Sequence, residues 1–585
     1  MAIESFDATE DLPIESCIEF DDLVLLPGLV DPHVHLNEPG RTHWEGFESG
    51  TAAAAAGGVT TLVDMPLNST PVTTTLDALR AKRVAASKAP TGELYVDVGF
   101  YAGLVPGNED EIESLLDAGV LGVKAFLCHS GIDDFPAATE RELQIAMPLL
   151  AKRNVPLLVH AELVSDAPAM TDPQSYADYV ASRPPSFERN AIKLMIKLCR
   201  ETGCRTHIVH LADAACLAML GDARRDGLPI TVETCPHYLT FAAEEIADGA
   251  TQYKCAPPIR DVNNREGLWR GLADGVIDFI ASDHSPCPPE MKEQESGRFD
   301  LAWGGISSLQ LTLPIVWSEA SKRGHALDDV VRWLSYKPAE LIGRTAGIQV
   351  GAEANFLAFD PTAEFVVRGA DLAHRHPLTP YEGRTLRGVV TQTYLRGEPT
   401  GIGKGICVES KKTLEFDIAT ELNKRAPADA QRLLRRCCGS IWWCEQVVAE
   451  RPFDSQTQFL NTVENVFDKM PKEAWLESFA CHPKIGDMDS LKMRFTGNRQ
   501  WSAGEQAGMA AAEEETLKQF SQANAEYENR FGYIFIVCAS GKTASEMLAM
   551  LQARLKNDPD DELAIASNEQ RKITMLRLEK LNPNE

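Results

Sequence analysis

Nothing in the chain approaches the roughly 20 consecutive apolar residues that a helix needs to cross a bilayer. The acidic opening MAIESFDATEDLPIE has neither the basic start nor the apolar run of a secretion or transit signal, and the closing NPNE is not a peroxisomal tripeptide. Basic charge is scarce: 57 Lys and Arg stand against 85 Asp and Glu, a net charge of -28 carried almost wholly ahead of residue 410. Such a surface repels nucleic acid and anionic lipid, so neither is expected as a partner. The fourteen cysteines contain no C-x-x-C and no paired spacing of a zinc ribbon. They read as reduced, packed thiols, and the cytosol is the expected compartment. Low-complexity tracts are also missing, which excludes a disordered chain.

What is present is a long chain of ordinary soluble composition, 585 residues with 44% hydrophobic and 24% charged. That length exceeds one core and implies two or three domains. Eight short β-branched runs alternate with Ala-rich helical stretches: LVLLPGLVD, TTLVDMP, LYVDVGFYAG, GVKAFL, VPLLVHAE, THIVHLAD, ITVETCPHY and IDFIASDHSP. Continuous apolar strands between helices imply a parallel sheet covered on its outside, and eight of them suit an α/β fold, a closed (β/α)8 barrel over residues 27–345. An open doubly wound sheet is the fallback. Nearly every run ends in His, Lys, Glu or Asp, which is where such a barrel holds its chemistry. Residues 1–26 and 346–405 read as a small flanking β-sandwich, 398–412 as a Gly-rich linker, and 410–585 as an all-α domain from periodicities such as Leu433, Leu434, Cys437 and Leu548, Leu551, Leu555.

His33 and His35, two apart on a strand, point to one side and can bind one zinc-like ion, although an isolated H-x-H is as readily two surface or hydrogen-bonded histidines. His160, His210 and Asp283 end later strands, so a closed barrel would bring five ligands from four strands to one axial point. Lys124, in GVKAFL, ends an intervening strand, where a buried ammonium is costly beside cations. A carbamylated lysine removes that conflict by becoming an anionic bridge.

The segments PGLVDPHVHL, VKAF, LLVHAE, HIVHLA and ASDHSP together resemble the binuclear cyclic amidohydrolases over roughly residues 24–400. The resemblance implies two divalent ions of zinc type bridged by carboxylated Lys124, one held by His33, His35 and Asp283, the other by His160 and His210. It further implies an attacking metal-activated hydroxide, with Asp283 shuttling the proton to the leaving nitrogen. Dihydroorotases usually follow the first H-x-H with a carboxylate-binding arginine, and here the residues are His35-Leu36-Asn37. HLNEPGRTHWEGFESGTAAAAAGGVTTLVDMPLN, VETCPHYL, KCAPPIR, SDHSPC and AWGGISSLQ resemble allantoinases more closely than hydantoinases or dihydropyrimidinases. Asn37 and the Gly304-Gly305-Ile306 turn are candidate contacts for an uncharged hydantoin ring, with plain turn structure as the other reading. Cys287 reads as packing, and His237 and His284 as supporting or structural. About 25 residues precede PGLVDPHVHL, fewer than in the family, so the sandwich is expected to be incomplete or differently closed. A homo-oligomer, dimer or tetramer, is expected. The competing readings are a hydantoinase or dihydropyrimidinase, and a catalytically inactive scaffold, against which the filled ligand positions argue.

In the tail, SFACHPKIGD supplies His482, RQWSAGEQAG supplies Ser502, Glu505 and Gln506, and RFGYIFIVCASGK is followed by KITMLRLEKL with Arg577. A histidine beside proline is usually only a turn. In this order, however, the three signals resemble the decarboxylase of 2-oxo-4-hydroxy-4-carboxy-5-ureidoimidazoline (OHCU) over about residues 413–585, apart from a longer stretch, MDSLKMRFTGNRQ, between His482 and Glu505. The resemblance implies a cofactor-free helical domain in which His482 is the acid–base residue, Glu505 orients it or the substrate, and Arg577, Ser502 and Gln506 bind the ring. Its implied product, allantoin, is the implied substrate of the front part.

Overall fold

A computed structural model describes residues 20–87, 94–350, 352–400, 405–410, 418–453, 456–482, 519, 522–538, 544–579 and 581. The chain divides into two compact units, residues 1–411 and 412–585.

In the first unit, the opening apolar run breaks at Gly28 into β1 (Val24–Pro27) and β2 (Leu29–Val34). A Cβ on Gly28 would lie 2.2 Å from Thr60 Oγ1, so only glycine lets the chain pass this close to β3 (Val59–Asp64). The parallel strands continue as β4 (Asp97–Phe100), β5 (Ala102–Gly103), β6 (Val123–Phe126), β7 (Leu157–His160), β8 (Thr206–Ile208), β9 (Ile230–Thr234) and β10 (Phe279–Ile280). They pair in the orders β2-β3-β4 and β5-β6-β7-β8-β9-β10. Tyr101 joins the two sets: its own N–H donates to Asp64 O at 3.1 Å, and that of Ala102 donates to Gly122 O at 3.0 Å. A parallel bridge between Val34 and His284 closes the ring. The result is the expected barrel.

Side chains alternate across its wall as the pleat requires. Leu157 and Val159 face the helical shell, whereas Leu158 packs inward with Val30, Val63, Tyr101, Val209 and Phe279. The helices form where the 3.6-residue period allows. Glu140–Lys152 opens on a Thr139/Glu142 capping box and buries Leu143, Ala146, Met147 and Leu150 at i, i+3, i+4 and i+7.

Beside the barrel, β11 (Phe356–Val366), β12 (Thr385–Leu395) and β13 (Glu398–Pro399) form an antiparallel sheet with β1 in the order β1-β11-β12-β13. Among the described residues this flanking layer is a single sheet, to which the segment before the barrel contributes one strand. Arg396, just after β12, places Nη1 3.0 and 2.9 Å from the two carboxylate oxygens of Asp97 at the start of β4. Burial pushes the Asp97 carboxyl up and the guanidinium opposes it.

The second unit is helical in its described residues: Ile418–Lys424, Pro427–Arg435, Ile441–Ala449, Gln456–Asp468, Lys472–Ala480, Ala544–Arg554 and Pro559–Glu579. Its core stacks Phe467 between Trp443 and Trp475, with ring centroids 5.3 and 5.5 Å away. Leu433, Leu434 and Cys437 face inward in one cluster, and Leu548 and Leu551 in another with Leu555 at its edge. Among the described residues of the chain no helix is long and apolar enough to cross a membrane.

Arg396→Met strands the Asp97 carboxylate in the wall of the barrel. It is expected to cost roughly 2–3 kcal/mol, less than a fully buried pair because Arg396 is partly solvated. Asp97→Asn added to it should recover most of that loss, read as the shift of the first unit's calorimetric transition.

Candidate metal centre

Each strand end brings its polar residue to the same face of the barrel. His33 is the fifth residue of β2 and His35 follows the strand; both are buried. The segment beyond them is held by Asp64, at the end of β3, which accepts from Leu36 N at 2.8 Å and from Lys82 Nζ at 2.6 Å. Lys82 Nζ also donates to Met65 O at 2.8 Å. Both side chains of this ion pair are essentially inaccessible.

His33 Nδ1 pairs with Glu233 on β9. The second oxygen of Glu233 lies 3.0 Å from His207 Nε2, and His207 Nδ1 lies 2.8 Å from Thr231 Oγ1. With Nδ1–H donating to Glu233, His33 turns the lone pair of Nε2 inward, 3.2 Å from Asp283 Oδ1. His35 Nε2 is 3.5 Å from the same oxygen, and Asn68 Nδ2 lies 3.4 Å from His35 Nδ1. His33, His35 and Asp283 thus offer one ligand atom each within 4.8 Å of one another. Burial pushes Asp283 up, but His33, His35 and His210 outweigh it and hold the carboxyl well below the usual range.

On the other side of the mouth, His160 at the end of β7 stacks on Phe126 at 4.4 Å, and its ring centroid is 4.6 Å from that of His210. His160 Nε2 is 2.8 Å from Glu162 Oε2, and Glu162 is in turn paired with Arg183. His160 therefore has the same carboxylate support as His33. Burial pulls its imidazole down, but Cys128 and Glu162 prevail and carry it to about 9. Cys128, His160 and Glu162 form a second group of mutually close ligand atoms.

Lys124, on β6, is wholly buried with Nζ 5.2 Å above the Phe126 ring. Its Nζ has no hydrogen-bond partner among the described residues, and neither does His210 Nδ1. Burial pulls the Lys124 amine down to about 8. His210 and Asp283 have φ of 41° and 45°, a left-handed backbone that costs energy for a side-chain residue and recurs at functional sites. A carboxylate-braced imidazole set with orphaned polar atoms at its centre fits a cation-binding group.

The rim residues separate. Asn37 is buried with φ 64°, donates from Nδ2 to Pro286 O at 3.3 Å, and leaves Oδ1 without a partner among the described residues. A Cβ on Gly305 would lie 2.3 Å from Ser285 O, so close backbone approach explains that glycine, whereas Gly304 faces open space. Burial raises the Cys287 thiol, which suits packing rather than nucleophilic attack. His284 bonds Glu45 through Nε2 at 3.3 Å and accepts Ser308 N on Nδ1 at 3.2 Å. The motif reading passed over Glu233, Glu162 and Asn68; a carboxylate inside an otherwise apolar strand run was the signal for Glu233.

In the second unit, His482 follows the helix Lys472–Ala480, half-buried, its N–H donating to Phe479 O at 3.1 Å. Arg577 Nη1 donates to Cys437 O at 3.3 Å, and Cys481 Sγ lies 3.7 Å from Gly439 O, so both elements border the 437–439 turn. Ser502, Glu505 and Gln506 lie outside the described residues.

Residues 24–400 match the amidohydrolase family, and the chain belongs to that family. Within it, the chain is 49% identical to the allantoinase of Streptomyces avermitilis over 65% of this chain and 85% of that one. It is 48% identical to the allantoinase of Arabidopsis thaliana over 65% and 78%. The solved L-hydantoinase (dihydropyrimidinase) from Arthrobacter aurescens superposes with a TM-score of 0.63 at 31% identity, covering 69% of this chain and 90% of that one. Residues 423–579 match the OHCU decarboxylase family, so an amidohydrolase and an OHCU decarboxylase domain share one chain.

Lys82→Met leaves the Asp64 carboxylate buried without its counter-charge. It is expected to cost about 3–5 kcal/mol, measured on the first unit's unfolding transition, with Asp64→Asn in the same background restoring part of it.

Proposed function

We propose that this chain carries two consecutive reactions of urate breakdown. The second unit decarboxylates OHCU to (S)-allantoin, and the first hydrolyses the hydantoin ring of allantoin to allantoate. The observation that carries the first assignment is the convergence of His33, His35 and Asp283 beside His160, His210 and a buried Lys124 whose Nζ has no hydrogen-bond partner among the described residues. Identity is also higher to allantoinases than to the hydantoinase structure.

In this reading His33, His35 and Asp283 would hold one zinc-type ion and His160 and His210 the other, with Lys124, as its carboxylate, serving as the anionic ligand to both. Carboxylation suits a primary amine that burial has already biased toward the neutral, nucleophilic form. When bound, such a pair supplies Lewis-acid polarisation of the amide carbonyl and activates water. The chain's own groups do the rest. Asp283, held ionised by the imidazoles around it, takes the proton of the attacking water and delivers it to the ring nitrogen as the C–N bond breaks. Glu233 and Glu162 keep His33 and His160 in one tautomer and orientation. Asn37 accepts from a ring N–H, a role supported by its buried Oδ1 having no partner among the described residues.

For the second unit, His482 acts as acid–base, Glu505 orients it or the substrate, and Arg577, Ser502 and Gln506 bind the ring. Loss of carbon dioxide leaves electrons that the substrate's own imine or carbonyl accepts, so orientation and one stereoselective proton suffice. A reducing compartment such as the cytosol belongs to the same reading, supported by thirteen described cysteines that are all free thiols, as does a dimeric or tetrameric assembly.

Incubation with freshly generated OHCU, followed by NMR, should show allantoin and then allantoate. Asp283→Ala is expected to lower allantoin hydrolysis by about 10³-fold or more while leaving decarboxylation intact, and His482→Ala the reverse. Chelation should silence hydrolysis alone. Strong dihydrouracil turnover with weak allantoin turnover would favour a dihydropyrimidinase, and loss of both activities in either variant would contradict separate sites.

A further inference from the structure

Three buried histidines behind the metal centre differ in one respect. His207 engages Thr231 and Glu233 with its two nitrogens, and His284 engages Glu45 and the Ser308 N–H. His237 is 0% exposed, and neither Nδ1 nor Nε2 has a hydrogen-bond partner among the described residues. A neutral imidazole carries one donor and one acceptor, and burying both unpaired is unfavourable. A residue that only filled space would do so better without them.

Its position points to a use. His237 lies in the short helix Pro236–Thr240, which starts immediately beyond β9 and therefore at the barrel's reactive face. One of its ring nitrogens falls within 4.8 Å of an Asp283 carboxylate oxygen and of Cys235 Sγ. The titratable groups acting on it are Asp283, His33 and Lys292. Lys292 Nζ donates to Trp303 O at 2.9 Å, to Lys254 O at 3.3 Å and to Gly305 O, and so secures the 303–305 turn. His237 thus lies beside the Asp283 carboxylate and near enough to the Lys292 ammonium for that charge to act on it. The Cys235, His237 and Asp283 atoms are close enough for a third cation, but the nearby Lys292 ammonium, whose charge acts on His237, opposes one. A neutral ligand group with both a hydrogen-bond donor and an acceptor meets no such opposition.

We propose that His237 contacts the substrate directly, hydrogen-bonding an amide or ureido group of the ring beside Asp283. The inference rests on the reading of the first unit as a cyclic-ureide hydrolase. It assigns to His237 the positioning of the scissile amide against the group that protonates its nitrogen, a contact that matters more as the C–N bond lengthens.

Full-length His237→Phe, which keeps a ring but no ring nitrogen, and His237→Asn, which keeps a donor and an acceptor, are compared with the unaltered chain on allantoin, hydantoin and dihydrouracil. Metal content and melting temperature are measured on the same samples. The expected result is a fall of about 100-fold in kcat/KM for His237→Phe, mostly in kcat, and within about tenfold for His237→Asn, with metal content unchanged. A folded, metal-replete His237→Phe with unimpaired kcat/KM overturns the inference and leaves the parent reading standing. So does loss of metal or melting temperature in both variants, which would make the residue structural. An unaltered chain that opens none of the three rings overturns the parent reading, and this inference falls with it.

Discussion

Pairing of Val34 with His284 closes the barrel, and the candidate metal centre depends on that closure because its candidate ligands come from opposite ends of the sheet. His35 N donates to His284 O at 2.8 Å, so the first histidine pair and the segment carrying Asp283 are locked together by backbone. Glu45 then grips the His284 ring while Ser308 N–H meets its other nitrogen, which fixes the tautomer as Nε2–H. The candidate ligands are thus brought together by the backbone of the closed barrel itself. Were the seam open, His33 and His35 would be two histidines on an edge strand.

Closure also concentrates charge where water is scarce, and the protein manages this with pairs. A lone buried charge is far costlier than one in a hydrogen-bonded partnership. Glu233 answers His33 and His207, Glu162 answers His160 and Arg183, and Asp64 answers Lys82. Glu233 and Glu162 are both drawn down to about 2, since their partners outweigh the burial that pushes them up. Lys124 has no comparable hydrogen-bonded partner among the described residues. The exception lies at the centre of the cluster, where an anionic derivative would be answered by cations. That asymmetry ties the electrostatics of the fold to the proposed chemistry.

The strands, their ends and the helical tail were legible because each is a local pattern. β-branched runs between helical stretches, with His, Lys or Asp at their ends, declare a barrel and its reactive face without knowledge of any contact. Contacts between distant segments left no comparable trace. The His33–Glu233 pair spans 200 residues, and the same carboxylate would read as a surface charge in another fold. Lys82 lies in a helix, Leu76–Ser87, whose sequence LDALRAKRVAAS suggests only a charged outer face, yet its ammonium reaches inward to Asp64. The break at Gly28 went unseen for a related reason: LVLLPGLVD is continuous in hydrophobicity, and only the nearness of Thr60 shows why the residue at the break is glycine.

Backbone strain gives the site its remaining character. His210, Asp283 and Asn37 adopt positive φ at the barrel mouth, and each such residue costs on the order of 1–3 kcal/mol. The surroundings sustain that cost: Ser282 N–H lies 3.3 Å from Asp31, Leu211 N–H donates to Glu233 O at 2.8 Å, and the Asn37 amide is tied to Pro286. Folding therefore supplies in advance the orientation that a flexible site would have to acquire from its substrate. With donors and acceptors oriented by the fold, the interactions that a ring makes can be reserved for the moment when charge develops on its carbonyl and nitrogen.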